Sequence, residues 1–406
     1  MKHETGEAAA IKGGVTAPAG FVAGSIFCGV KEVNTSKEDM ALIVSESPAV
    51  AAGTFTTNKV KAAPVLVSMA HLRAAGARAI IANSGNANAC TGPKGLEAAR
   101  RMSRATANAL GLAEREVLVC STGRIGVQLP IEKMEAVIGD LAAKLGKRSQ
   151  DAAKAIMTSD SFPKETAVEC EIGGKAVRIG GIAKGAGMID PNMATMLSFV
   201  TTDAVIGKAD LQKALRASVA QSFNRITVDG DMSTNDTVLA LANGRAGNRA
   251  LEWGGPGFAV FQAALDRVTA ALARMIVKDG EGVSRFIDLQ VTGARTDREA
   301  RLAARAIANS ILVKCAWYGG DPNWGRIMDA VGYSGARIRE ERIRIAYNGL
   351  PAVEGGMPAA TSPARLRAVA RKKEFTITVD LGIGSGTHGI WTTDLTTKYV
   401  DFNMGE

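Results

Sequence analysis

The sequence predicts a mixed α/β (α+β) protein, a layered sandwich of sheets and helices. Three observations predict it. Short aliphatic runs bounded by polar turn residues recur through the first half. Alanine-rich stretches with apolar residues at helical spacing alternate with them. The C-terminal part is rich in β-branched residues at alternating positions. With 406 residues, 46% of them hydrophobic and 22% charged, the chain can bury one large core or two medium ones without disulfide staples.

MALIVSE (Met40–Glu46), RAIIANS (Arg78–Ser84) and EVLVCST (Glu116–Thr122) read as buried strands, and Gly95–Leu110 as a helix. Pro130 suits the N1 position of a helix whose Ile131, Met134, Ile138, Leu141 and Leu145 share a face, with Gly146 as its C′ residue. Two β segments between Thr166 and Ile182 flank Gly173-Gly174, a hairpin signal. A helix follows from Lys208 to about Phe223, and a long one from Pro256 aligns Phe261, Leu265, Val268, Leu272 and Met275. RFIDLQV (Arg285–Val291) reads as a strand, Asp297 to about Val313 as a helix, and RIRIAYNG, EFTITVDLG and IWTTDL as a mostly β C-terminal part.

Two glycine- and acid-rich stretches resemble sites and read as turns. GSGTHG (Gly384–Gly389) has GxGxxG spacing, but a β segment follows it where a dinucleotide-binding turn needs a helix. DGDMSTND (Asp229–Asp236) lacks the terminal glutamate of a calcium loop and reads as a structural loop of Asx turns.

Composition narrows the function. The net charge of +9 is scattered and only 5% of residues are aromatic, which argues against nucleic-acid binding and suits attraction of small carboxylates. Five cysteines without a CxxC pair and three widely separated histidines give no metal site, disulfide framework or local histidine triad. MKHETGEAAAIKGG has no apolar core of a signal peptide, and no run approaches 18 apolar residues, so the expectation is a cytoplasmic chain with no membrane span.

The chemistry centres on KGAGMIDPNMATMLSFV (Lys184–Val200), where turn residues lead abruptly into a strand. In that strand Thr195, Leu197, Phe199 and Thr201 share one face, and Met196, Ser198 and Val200 the other. From residue types alone, Thr195 either opens a strand or is a nucleophile released by breaking the Ala194–Thr195 bond. The stretch resembles the cleavage segment of the ornithine acetyltransferase family, the bifunctional acetyltransferases of arginine biosynthesis. GGVTAPAGF, FTTN, NSGNANACTG, STGRIG, MTSDSFPKE, FNRITVDGDMSTNDT, KDGEG and DPNWGR carry the resemblance in order along the whole chain.

That resemblance implies self-cleavage at Ala194–Thr195 into an α-chain segment (1–194) holding the oxyanion motif and a β-chain segment (195–406) starting at the nucleophilic Thr195. An internal threonine hydroxyl can attack the preceding carbonyl to form an ester that water then opens. The freed amine, with a pKa of roughly 7.7–8.0, can serve as the base without a histidine. The resemblance assigns the Thr122 hydroxyl and the Gly123 N–H as the oxyanion hole, where one donor is worth about 2.7–4 kcal/mol. It assigns Thr158, Lys184, Thr195, Glu281 and Asn403 to the substrate, Lys184 suiting a carboxylate and Glu281 an amino group or the nucleophile. Arg124 is a departure: the family commonly has a smaller apolar residue there, and the added cation either favours an anionic substrate or points to solvent.

The implied reaction takes acetyl from N2-acetylornithine, holds it on Thr195 and gives it to glutamate. Acetyl-CoA stays open as a second donor, and no prosthetic group or metal is implied. The implied assembly is a heterotetramer of two α and two β chains. Two other readings stand beside it: an N-terminal-threonine amidase or aminopeptidase that hands the acyl group to water, and an uncleaved amino-acid-binding paralogue.

Overall fold

The computed structural model describes residues 8–30, 37–73, 76–190 and 196–404. The chain forms two compact units, one of Met1–Gly185, Asn192–Asn224 and Met232–Ile276, the other of Ala186–Pro191, Arg225–Asp231 and Val277–Glu406. Each unit draws on residues from both sides of Ala194–Thr195.

The strands of the first unit are β1 (Ala9–Ile11), β2 (Phe21–Ile26), β3 (Met40–Ser45), β4 (Val50–Phe55), β5 (Ala79–Asn86) and β6 (Val117–Arg124). They continue with β7 (Lys164–Ile172), β8 (Lys175–Lys184), β9 (Leu197–Thr202) and β10 (Thr237–Ala242). Its helices are α1 (Ala63–Arg73), α2 (Gly92–Leu110), α3 (Ile131–Ala143), α4 (Ser149–Ala155), α5 (Lys208–Gln221) and α6 (Phe258–Lys278), the last two residues of α6 falling in the second unit.

Two sheets form, in the orders β1-β7-β8-β9-β10-β4 and β2-β3-β5-β6. The four-stranded sheet is covered on both faces, which is why β3 is buried at every residue. Alternation divides its side chains. Met40, Leu42 and Val44 join Met102 of α2 and Met134, Ile138 and Leu141 of α3. Ala41 and Ile43 join Ile182, Leu197, Phe199, Leu239 and Leu241 of the six-stranded sheet, with Ala152 and Ala153 of α4. Across the far face of that sheet, Gly181 leaves room for Val268 and Leu272 of α6. The layers therefore run helix, sheet, sheet, helix. Positive φ at both Gly173 and Gly174 makes the tight β7–β8 hairpin.

The second unit holds β11 (Phe286–Ala294), α7 (Asp297–Ala308), α8 (Ile311–Tyr318), α9 (Trp324–Gly332), β12 (Arg344–Tyr347), β13 (Leu350–Glu354) and β14 (Met357–Pro358). It ends with α10 (Pro363–Ala370), β15 (Glu374–Asp380), β16 (Gly386–Thr393) and α11 (Thr397–Asn403). Its sheet order is β14-β13-β12-β15-β11-β16. Leu289, Val291, Ile345, Ile377 and Val379 form a core with Ala300, Ala304 and Ile307 of α7 and Trp317 of α8.

Several local expectations need correction. Pro130 is the N-cap of α3 rather than N1, and the helix ends at Ala143, so Gly146 is no C′ residue; it exchanges backbone hydrogen bonds with Ala23 instead. Met275 is half-buried, and Ile276 takes the core position near the end of α6. The helix expected over 297–313 is two helices. Asn309 caps the first, and the Ser310 side chain accepts from the Val313 N–H to start the second. The C-terminal part also contains α9, α10 and α11. GSGTHG runs from a turn directly into β16, as expected of a turn between strands. No helix among the described residues is long and apolar enough to cross a membrane.

Candidate active site

In the first unit, parallel strands β5 and β6 end side by side, and their pairing slips at Gly85–Gly123. Gly123 has φ +133°, which L side chains rarely adopt, and a Cβ there would stand 2.5 Å from the Asn86 nitrogen. Only glycine fits. Buried amides hold this corner. Ser121 Oγ donates to Asn83 Oδ1 at 2.6 Å, Asn83 Nδ2 donates to the Asn86 carbonyl at 2.9 Å, and Asn235 Nδ2 donates to the Ser121 and Ala87 carbonyls at 2.8 and 2.6 Å. NSGNANACTG, STGRIG and the end of DGDMSTND thus act as one network that fixes Thr122 and Gly123. Arg124 is exposed, which takes its charge toward solvent.

Lys184, the last residue of β8, is 2% exposed. Its Nζ donates to Thr158 Oγ1 at 2.7 Å and to Thr122 Oγ1 at 3.3 Å. Three sequence-predicted substrate and oxyanion residues therefore share one ammonium. Asp160 balances the charge: its carboxylate lies 3.9 Å from Lys184 Nζ and 2.6 Å from Lys164 Nζ, with no exposed side-chain surface on Asp160 or Lys164. It also accepts the Gly185 and Thr158 N–H groups at 2.7 and 3.0 Å. Burial pushes the Asp160 carboxyl up, but the two lysines and the N–H donors prevail and hold it at about 2. Sequence reasoning passed over Asp160 and Lys164. The available signal was a pair of opposite charges inside MTSDSFPKE, next to a candidate site residue.

Asp236 also went unread. It is fully buried just before β10, and Oδ1 accepts the Met196 N–H at 3.0 Å. The Thr56 hydroxyl and the Ser233 N–H also act on this carboxylate. Burial raises its carboxyl well above the usual range, against the pull of the Met196 N–H and of Lys184. Ala194 and Thr195, the expected cleavage pair and nucleophile, lie outside the described residues.

The second unit brings Glu281 and Asn403 together. Asn403 Nδ2 donates to Glu281 Oε2 at 3.1 Å. Gly282, at φ +66°, lets α11 approach: a Cβ would stand 2.7 Å from the Tyr399 nitrogen, and Thr396 Oγ1 donates to the Gly282 carbonyl at 2.6 Å. The Glu281 N–H donates to the Ala186 carbonyl at 3.1 Å, and its carboxylate lies over Gly187. Asp229, at the head of DGDMSTND, accepts the Met188, Ile189 and Asp231 N–H groups at 2.7, 2.8 and 3.2 Å, the last being the expected Asx turn. Asp190 pairs with Arg305 and accepts from Asn309 Nδ2 at 3.2 Å. The segment Ala186–Asp190 is thereby anchored along its length.

A hydroxyl, a glycine that no other residue can replace and a buried ammonium can together stabilise developing negative charge, which is the kind of arrangement an acyl-transfer enzyme uses. The chain belongs to the ArgJ family, whose model matches residues 22–405. It is 52% identical over 367 residues to the arginine biosynthesis bifunctional protein ArgJ of Geobacter sulfurreducens, covering 90% of this chain and 93% of that one. A crystal structure of the ArgJ protein from Bacillus halodurans shares 46% identity and a TM-score of 0.51, covering 52% of this chain and all of the other. The Mycobacterium tuberculosis ornithine acetyltransferase complexed with ornithine is 39% identical, with a TM-score of 0.42 over 46% of this chain and 98% of that one. The resemblance read from the motifs is borne out.

Proposed function

We propose that the chain is a bifunctional acetyltransferase of arginine biosynthesis that moves acetyl from N2-acetylornithine to glutamate through an acetyl ester on Thr195, after cutting itself at Ala194–Thr195. The observation that carries the reading is the buried Lys184 ammonium held against the Thr122 and Thr158 hydroxyls beside Gly123. The span from Thr195 to Glu406 is 212 of the 406 residues, or 52%, the share of this chain that the whole Bacillus halodurans chain covers. That share supports a polypeptide that exists as two pieces of about this size.

In this scheme the Thr195 hydroxyl attacks the acetyl carbonyl, and its proton passes through the terminal amine to the departing ornithine nitrogen. The Thr122 hydroxyl and the Gly123 N–H donate to the oxyanion, where each donor is worth about 2.7–4 kcal/mol. Lys184 pairs with a substrate carboxylate beside Thr158, and Glu281, with Asn403 on its carboxylate, takes a substrate amino group. Glutamate's amine then attacks the ester and leaves as N-acetylglutamate. Acetyl-CoA stays open as a second donor for the same ester, and the scheme uses no prosthetic group. The cut chains assemble as a heterotetramer of two α and two β chains in the cytoplasm.

The test is incubation with N2-acetylornithine, with and without glutamate, followed by intact mass. Formation of acetylglutamate, and an acetyl adduct on the Thr195 chain when glutamate is absent, is the expected result. Acetate as the only product would support the hydrolase instead. An uncut chain without adduct would support the binding protein.

A further inference from the structure

Lys164 and Lys184 are both buried beside the carboxylate of Asp160, and the two ammonium groups are not equivalent. Lys164 Nζ is in direct contact with Asp160 Oδ1 at 2.6 Å, whereas Lys184 Nζ stands 3.9 Å from Oδ2, beyond hydrogen-bond reach. Lys184 donates instead to the Thr158 and Thr122 hydroxyls at 2.7 and 3.3 Å. We propose that Lys164 is a positioning residue for the substrate carboxylate: by occupying Asp160 it keeps Lys184 on those hydroxyls, where a carboxylate can take its charge. This rests on the role given to Lys184 above.

The strand register brings the two lysines together. Lys164 opens β7 and pairs with Ala183, the neighbour of Lys184 at the end of β8. Backbone groups fix the orientation of Asp160: Oδ1 accepts the Gly185 N–H at 2.7 Å, and Oδ2 accepts the Thr158 N–H at 3.0 Å. Lys164 is fixed as well. Its Nζ also donates to the Phe162 carbonyl at 3.4 Å and lies 4.8 Å from the centre of the Phe162 ring. The Lys164 side chain has no exposed surface, so its effect on a ligand passes through Asp160 and Lys184.

The physical argument is one of competition. A buried carboxylate without a close cation is costly, so Asp160 needs one in contact. Burial pushes its carboxyl up, and Lys184, Lys164 and the Gly185 N–H bring it down to about 2. If Lys184 made the direct contact, a substrate carboxylate would have to break one ion pair to form another, with little net gain. With Lys164 in that place, the incoming carboxylate replaces neutral hydroxyl acceptors, and the charged acceptor makes the stronger hydrogen bond. The two lysines thus divide the work: Lys164 neutralises the site's own acid, and Lys184 serves the ligand.

The test compares wild type, Lys164→Met, Asp160→Asn and Lys164→Met/Asp160→Asn by steady-state kinetics with N2-acetylornithine and glutamate, a full double-mutant cycle. In Lys164→Met the Asp160 carboxylate draws Lys184 into direct contact. KM for N2-acetylornithine is expected to rise about 10-fold or more. Because the loss is one of uniform binding, kcat should change little. Removing the competing carboxylate as well releases Lys184, so the double variant is expected to return to within about 3-fold of the wild-type KM. A purely structural Lys164 predicts the reverse, with the double variant at least as impaired as Lys164→Met, and that result would overturn the proposal. So would an unchanged KM in Lys164→Met. Should Lys164→Met lose its cooperative thermal transition or its turnover, Lys164→Gln, whose amide still donates to Asp160, takes its place under the same expectations. If Lys164→Gln fails too, a double variant that folds and turns over supports the competition, and one that fails overturns it. Failure of the functional reading looks different. A wild type that forms no acetylglutamate removes that reading, and an unchanged KM in Lys184→Met removes the carboxylate role of Lys184. A raised KM in Lys184→Met beside an unchanged KM in Lys164→Met overturns this proposal alone.

Discussion

Gly123 sits opposite Gly85 at the paired ends of β6 and β5, so close that a Cβ on Gly123 would collide with the Gly85 carbonyl. The strand ends meet backbone to backbone, and the Thr122-Gly123 corner is rigid because no side chain separates them. Gly123→Ala must either shift β5 or leave φ +133°. The expected cost is roughly 1–3 kcal/mol of stability. Because it displaces the proposed oxyanion donor, kcat is expected to fall about 100-fold or more. Chemical denaturation and steady-state kinetics on the same preparation check both.

Lys184 suits a test of binding. Lys184→Met keeps the apolar stem and removes the ammonium that donates to Thr158 and Thr122. Lys164 remains on Asp160 at 2.6 Å, so that carboxylate keeps one cation and the variant is expected to fold. Loss of a charge-assisted contact of about 1.5–3 kcal/mol should raise KM for the carboxylate substrate roughly 10- to 100-fold. An unchanged KM would remove Lys184 from the substrate site.

Asp160 sets an acid limit. Its carboxyl is lowered from 3.8 to about 2, so its contribution is complete above about pH 4 and is lost as pH falls toward 2. The shift corresponds to roughly 2 kcal/mol. Urea unfolding of wild type and Asp160→Asn between pH 5 and pH 2 should show wild type losing about that much more over this window. Parallel curves would contradict it.

Lys314 on α8 sets the opposite trend. It is buried and donates to Thr392 Oγ1 at 3.1 Å and to the Thr393 carbonyl at 2.7 Å. Burial lowers it from 10.5 to about 8, against the pull of Asp229 and Asp394. Between about pH 8 and 10.5 the unfolded chain binds the proton and the folded chain does not, so stability rises with pH. The gain relative to Lys314→Met should be roughly 3 kcal/mol over that window, read from denaturant midpoints at each pH. A difference that is flat with pH would mean that Lys314 stays protonated in the folded protein.

The elements legible in the sequence are those whose signal is local. MALIVSE, RAIIANS and EVLVCST became β3, β5 and β6, and Gly173-Gly174 became the β7–β8 turn, because aliphatic runs and paired glycines act over a few residues. The break at Asn309-Ser310 was legible too, in a capping serine inside an apolar pattern, but periodicity outweighed it. The motifs also carried the family, and they singled out Thr122, Gly123, Thr158, Lys184, Glu281 and Asn403 as candidates. Tertiary structure alone decided what those residues touch. It placed Lys184 between Thr158 and Thr122, 26 and 62 positions away, and it buried Asp160 and Asp236 where a sequence shows only two more aspartates in polar loops. The reason is physical: helix and strand preferences are set by neighbours along the chain, whereas burial, and with it the strength of a charge, depends on which distant segments exclude water from it.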